Sequence, residues 1–176
     1  MRKKSLFLVD IQPATLSPEA KKLVSSIASY IGRTSYDAYV EAIYYADKES
    51  MFFKQESFYL PAAEAGEGAP EIAQAVQAKK RPYLMVKKNT RSLFSAFNKD
   101  ELEGFLQAHR IEEIHLLGFD INDCVLSSAY AAIDKGYYTY VLEDLSHHHS
   151  FKQELKDAAL AILDQQSMLK ASSEVK

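Results

Sequence analysis

Five short runs rich in β-branched and aromatic residues recur along the chain, and each is followed by a polar break and then by apolar residues at helical spacing. The runs are Ser5 to Val9, Ala38 to Ala46, Pro82 to Val86, Glu113 to Gly118 and Tyr138 to Glu143. After the first run, Leu23, Ile27 and Tyr30 or Ile31 line one side of a helix predicted over Pro18 to Gly32, with Ser17 as its N-cap and Gly32 as its stop. Further helices are predicted over Glu71 to Lys79, Lys99 to His109, Asp123 to Lys135 and about Ser150 to Gln166. Parallel strands need long crossovers, and near-continuous apolar runs such as Tyr83-Leu84-Met85-Val86 and Ile114-His115-Leu116-Leu117 suit strands covered on both faces. The rhythm therefore predicts an α/β protein, a doubly wound three-layer sandwich with a mostly parallel central sheet. One long irregular stretch, Asp47 to Pro70, holds Pro61, Gly66 and Gly68; loops of that length usually cover something.

The chain has 176 residues, which suits one domain over 1–176, with residues 170–176 expected to form a loose tail. Of these, 47% are hydrophobic and 26% charged, a globular balance with no apolar window long enough to span a bilayer. The net charge of −3 gives no overall attraction to phosphate backbones or anionic lipids, so neither nucleic acid nor membrane is an expected partner. The basic start, Met1 to Lys4, leads into an apolar run that ends at Asp10, too short for an export signal. A single cysteine, Cys124, forms no internal disulfide, and a cytoplasmic setting is expected.

In open α/β sheets ligands bind beyond the carboxyl ends of the strands, where the strand order reverses. The residues just past the five predicted strands are Asp10, Asp47, Lys87 and Lys88, Asp120 to Cys124, and Asp144. A carboxylate, a lysine and the only cysteine thus share one rim. Cys124 stands where a helix begins after a strand and a glycine, a placement that lowers a thiol pKa, and a nearby ammonium would lower it further. Taken singly, each has a plainer reading: a buried thiol packing as a small hydrophobe, an aspartate in a turn, a solvated lysine.

Two segments carry a more specific likeness. Leu6-Phe7-Leu8-Val9-Asp10-Ile11-Gln12 resembles the opening of the isochorismatase-like cysteine hydrolases, in which a catalytic aspartate ends the first strand and glutamine follows two residues later. Gly118-Phe119-Asp120-Ile121-Asn122-Asp123-Cys124-Val125 resembles their nucleophile motif, G-x-x-T-D-x-C-V, and the likeness continues through Ser127 to Ala132, Gly136-Tyr137 and Glu143-Asp144. Between them, Lys88 to Phe94 and then Ser95-Ala96-Phe97 are similar to the family's lysine segment, in either of two registers. One of these puts Lys88 at the usual spacing; the other needs a short insertion and leaves Lys87 open. What the resemblance implies is a hydrolase of small-molecule amides with Asp10, Lys88 and Cys124 as catalytic residues. It also implies an oxyanion hole made by the backbone N–H groups of Asp120 and Cys124, with a cis peptide joining Phe119 to Asp120, and Gln12, Phe53 and Phe119 on the substrate side. Relatives assemble as dimers or tetramers, which implies a homo-oligomer.

Departures from the family pattern narrow the expectation. Nicotinamidases of the family carry an Asp-x-His pair after the second strand and further histidines that bind a metal. Here that stretch reads Asp47-Lys48-Glu49, and the first histidine of the chain is His109. No metal and no cofactor are therefore expected, and His147-His148-His149 reads as a solvated or hydrogen-bonding loop. Ile121-Asn122 replaces the usual T-D pair, and a charged Asp120 stands where a small residue is usual. Isochorismatases proper lack the cysteine, so its presence favours amide chemistry. The competing readings are a non-catalytic binding or scaffold relative with a degenerate site, and a thiol redox protein, which would lack a second cysteine to resolve a sulfenic acid.

Overall fold

The computed structural model describes residues 2–96 and 99–175. Six strands, β1 (Lys4–Val9), β2 (Ala38–Tyr44), β3 (Tyr83–Lys88), β4 (Glu113–Gly118), β5 (Tyr138–Ser146) and β6 (Leu169–Lys170), form one all-parallel sheet in the order β3-β2-β1-β4-β5-β6. The helices are α1 (Pro18–Arg33), α2 (Met51–Glu56), α3 (Ala62–Ala65), α4 (Pro70–Ala78), α5 (Lys99–Ala108), α6 (Leu126–Asp134) and α7 (Gln153–Gln165).

The alternation of β1 explains the three layers. Leu6 and Leu8 point to one face, where they belong to a core with Val24, Ile27 and Ile31 of α1 and Ile72 and Val76 of α4. Phe7 and Val9 point to the other, with Leu102 and Leu106 of α5, Ala129 and Ala132 of α6, and Ala159 and Leu163 of α7. Burying such side chains contributes roughly 1.5–3 kcal/mol each, which is why the central strands tolerate so few polar residues. No helix among the described residues is long and apolar enough to cross a membrane.

Several expected boundaries move, each for a visible reason. Gly32 lies inside α1, which closes instead at Thr34, where both the backbone N–H and the hydroxyl donate to the Tyr30 carbonyl, at 3.1 and 2.7 Å. The run Tyr83 to Val86 is not covered on both faces. It sits at the sheet edge, with Tyr83, Met85 and Lys87 exposed. Residues 170–174, expected to belong to a loose tail, complete β6 beside Val141 and Leu142 and then form a 3-10 turn. There the Ser172 N–H and hydroxyl both donate to the Asp144 carboxylate. The 47–69 stretch is not structureless, since it holds α2 and α3 and an antiparallel bridge between Ala46 and Leu60.

Strand order reverses between β1 and β4, so their carboxyl ends open a crevice at that point. The two ends approach closely. The Phe119 N–H donates to the Val9 carbonyl at 2.9 Å. Gly118 has φ +119, and a Cβ there would lie 2.2 Å from the same carbonyl oxygen, so only glycine fits.

Candidate active site

Three side chains from separate parts of the chain meet at that crevice. Asp10 follows β1 in a left-handed backbone conformation, φ 52. Lys88 ends β3 and reaches past β2 with its side chain wholly buried. Cys124 lies in a π-helical turn, Ile121–Val125, that leads into α6. The Lys88 ammonium spends its three hydrogens on the Asp10 Oδ2 at 2.7 Å, the Thr90 carbonyl at 3.2 Å and the Cys124 Sγ at 3.3 Å. It also sits 4.9 Å from the centre of the Tyr44 ring. Lys87, one residue earlier, points to the opposite face of the strand and is exposed, so alternation along β3 decides between the two lysines. Phe97, the end of the rival register, lies outside the described residues.

The electrostatics differ from the sequence expectation. A helix start and a lysine were expected to hold the thiol below its ordinary range; instead burial pushes Cys124 well above it, Lys88 offsets this only in part, and the Asp10 carboxylate pushes it further up. Burial also raises Asp10, against the downward pull of Lys88. Lys88 itself is raised: burial acts to lower it, but the charges of Asp10 and Cys124 outweigh that. The resting triad is therefore a neutral thiol beside a carboxylate–ammonium pair. The other carboxylate oxygen, Asp10 Oδ1, is buried and accepts no hydrogen bond, which leaves a lone pair free to take a proton.

The turn that carries Cys124 has an unusual ladder. The Asp120 carbonyl accepts from the N–H groups of Asp123 and Val125, both at 3.0 Å, and so passes over Cys124. The Asp120 N–H donates to no acceptor among the described residues. The Phe119–Asp120 peptide is cis, as the resemblance implied.

A cavity of about 450 Å3 opens over the sulfur, within the range of small-molecule sites. Asp10, Phe119, Asp120, Asp123 and Cys124 line its floor, and Thr15 and His149 lie at its side. The 47–69 stretch covers it with Phe52 and Glu56 of α2, and with Phe58 and Leu60. Arg91 ties this cover down, donating to Glu56 at 2.9 Å and to Asp123 at 2.6 Å, with its guanidinium 4.4 Å from the Phe52 ring centre.

Two of the residues expected on the substrate side are elsewhere. Gln12 is buried beneath the cavity, where its amide accepts from the Tyr44 N–H at 2.8 Å and donates to the carbonyls of Tyr44 and Ala65 at 2.9 and 3.1 Å. It clamps β2 to α3 and so positions Tyr44. Phe53 turns away to pack on Tyr59, because successive positions on a helix face different sides; its neighbour Phe52 faces the cavity. Phe119 does line the cavity. Asp144 is not at the rim, since β5 runs on to Ser146 and the aspartate is spent on Ser172.

The stretch that matches the metal-binding segment of nicotinamidases does not fit a metal. Asp47 Oδ1 accepts from the N–H groups of Glu49 and Ser50 and from the Asn89 amide, and Lys48 and Glu49 follow where the metal-binding histidine would stand. Asp120, His148 and His149 bring one ligand atom each within 4.8 Å of one another. But His148 Nδ1 accepts the Ser150 N–H, which leaves the ring proton of the neutral imidazole on Nε2, facing Asp120. The cluster is wired for hydrogen bonding. Sequence reasoning missed Arg91 and the Asp120–His149 pair; for the pair, the out-of-pattern charge at 120 and the histidine run were the available signals.

The fold and site define an open α/β protein with a buried cysteine, lysine and aspartate at the topological switch point. The chain belongs to the isochorismatase family: the isochorismatase domain model matches residues 5–173. An isochorismatase-like hydrolase from Alkaliphilus metalliredigens superposes with a TM-score of 0.79 at 17% identity, covering 98% of this chain and 96% of that one. N-carbamoylsarcosine amidase from Thermoplasma acidophilum superposes at 0.74 with 22% identity over 99% of both chains. In sequence, the chain is 34% identical to nicotinamidase 3 of Arabidopsis thaliana over 91 residues, a match that takes in 51% of this chain and 43% of that relative.

Proposed function

We propose that the protein is a cysteine-dependent amidase that cleaves a C–N bond of a small molecule through a thioester. The observation that carries this reading is the meeting of Asp10, Lys88 and Cys124, with the ammonium 2.7 Å from the carboxylate and 3.3 Å from the sulfur. Because the resting sulfur is a thiol, its proton passes to Asp10 as the sulfur attacks the carbonyl carbon, and Lys88 stabilises the negative charge wherever it resides. The oxyanion is met by the N–H groups of Asp120 and Cys124. Asp10 returns the proton to the leaving nitrogen, the C–N bond breaks, and the acyl group remains on sulfur. A water then gives its proton to Asp10 and attacks the thioester; the C–S bond breaks, an acid leaves, and the thiol is restored.

The test is ammonia release from a panel of neutral carboxamides and ureido compounds. C124A is expected to abolish turnover, and D10N to reduce it by about a hundredfold or more. Turnover that survives both substitutions overturns the mechanism.

A further inference from the structure

We propose that His149, held by the side chain of Asp120, is a specificity-determining hydrogen-bond donor that selects neutral amides carrying an acceptor atom close to the scissile carbonyl. This rests on the amidase reading and adds a residue to it.

The geometry begins with Asp120. Its backbone N–H is the oxyanion donor of the proposed mechanism, while its carboxylate faces the loop after β5. There Oδ1 accepts the His149 backbone N–H and Oδ2 accepts the ring Nδ1–H at 2.7 Å. The histidine is thus held on both backbone and side chain by the residue that would hold the carbonyl oxygen, which sets its ring at a fixed offset from the reacting group. His149 lines the same cavity as Cys124, and its Nε2 has no partner among the described residues. A ring nitrogen left open on the wall of an active-site cavity is available to a ligand.

The charge of the wall decides what kind of ligand. Four carboxylates line the cavity, Asp10, Glu56, Asp120 and Asp123. Two fixed cations answer them, Lys88 on Asp10 and Arg91 across Glu56 and Asp123. An anionic substrate would meet a net negative surface even with His149 protonated, so a neutral one is favoured. The aromatic walls, Tyr44, Phe52, Phe58 and Phe119, suit a flat group.

Protonation sets the sign of the recognition. With Nδ1–H committed to Asp120, neutral His149 presents a lone pair at Nε2 and repels an acceptor, whereas the imidazolium presents a second N–H and binds it. The groups facing the ring are Asp120, which raises its pKa above the ordinary 6.5, Lys152, whose charge lowers it, and His148, whose ring lies tilted by 30° with its centre 4.2 Å away. The donor form is present below the folded pKa and is lost as pH rises through it.

The experiment uses the full chain carrying C124A, which removes turnover, and compares binding of nicotinamide, whose ring nitrogen is an acceptor, with benzamide, which lacks one. At pH 6 nicotinamide is expected to bind about tenfold more tightly than benzamide, and the preference is expected to vanish by pH 9. Adding H149A should remove the preference at pH 6. H149Q, whose amide is a donor at every pH, should retain part of the preference and lose its pH dependence. A histidine that only braces the loop would move both ligands together. Equal affinities at pH 6, a preference unchanged at pH 9 or in H149A, or no binding of nicotinamide at millimolar concentration overturns the proposal. Ammonia release by the wild-type chain, measured separately, shows whether the amidase reading stands without it.

Discussion

Removing the Lys88 ammonium tests the electrostatic account of the triad most directly. K88M keeps the length of the side chain and most of its packing but deletes the charge that sits 2.7 Å from Asp10 Oδ2. The Asp10 carboxylate would be left with the weak Cys124 thiol as its remaining donor and no cation, in a position only 8% exposed. Breaking a buried ion pair from one side costs about 3–5 kcal/mol. For a chain of this size each kcal/mol lowers Tm by about 2–4 °C, so a fall of about 10 °C is expected at pH 8. The loss should depend on pH with a definite sign. With burial acting and its cation gone, Asp10 in the variant has a folded pKa above the unfolded value of about 3.9. The penalty is then complete above the folded pKa and shrinks as pH falls through it, so the gap between wild type and K88M should narrow at pH 5. Neutralising the partner as well, in K88M with D10N, should recover most of the stability at pH 8, because an unpaired buried charge no longer exists. Thermal melts of the four proteins at pH 5 and 8 measure all of this. A K88M chain within about 1 kcal/mol of wild type at pH 8, or a loss that does not narrow at pH 5, would refute the placement of a buried ion pair here.

Alkylation of Cys124 by iodoacetamide should rise with pH through a midpoint above the ~8.5 of free cysteine, since burial and Asp10 hold the thiol up. D10N should bring that midpoint down, and a wild-type midpoint below 8 would contradict the neutral-thiol resting state. Q12A should cost about 1–3 kcal/mol in denaturant unfolding, because it strips hydrogen bonds from the half-buried Tyr44 N–H and carbonyl; a neutral result would remove Gln12 as the clamp between β2 and α3.

Much of the fold was legible along the chain because strand and helix periods are local properties. Apolar runs in alternation with amphipathic helices announced a parallel sheet covered by helices, and the residues after β1 and β4 marked the rim. What escaped was set by contacts between distant segments. Leu169–Lys170 is too short to read as a strand, and pairing with β5 makes it one. Tyr83 to Val86 looks like a central strand, but its place at the edge depends on the order of the sheet, which no periodicity encodes.

The site divides in the same way. Asp10 and Cys124 were identifiable because each adjoins a strand end in a recognisable local pattern. The choice of Lys88 over Lys87 waited on the register of β3, and the cover of the cavity by Phe52 rather than Phe53 waited on the rotation of a two-turn helix. Even the direction of the thiol pKa was decided in three dimensions. A helix start and a lysine are visible one after another in the chain, whereas burial and a carboxylate contributed from 114 residues away exist only once the segments pack. The sequence by itself determined the layers and the chemical inventory of the rim, through patterns that act over a few residues. Tertiary structure alone decided which charges neutralise one another, because Coulomb and desolvation energies depend on distance through space and on the exclusion of water.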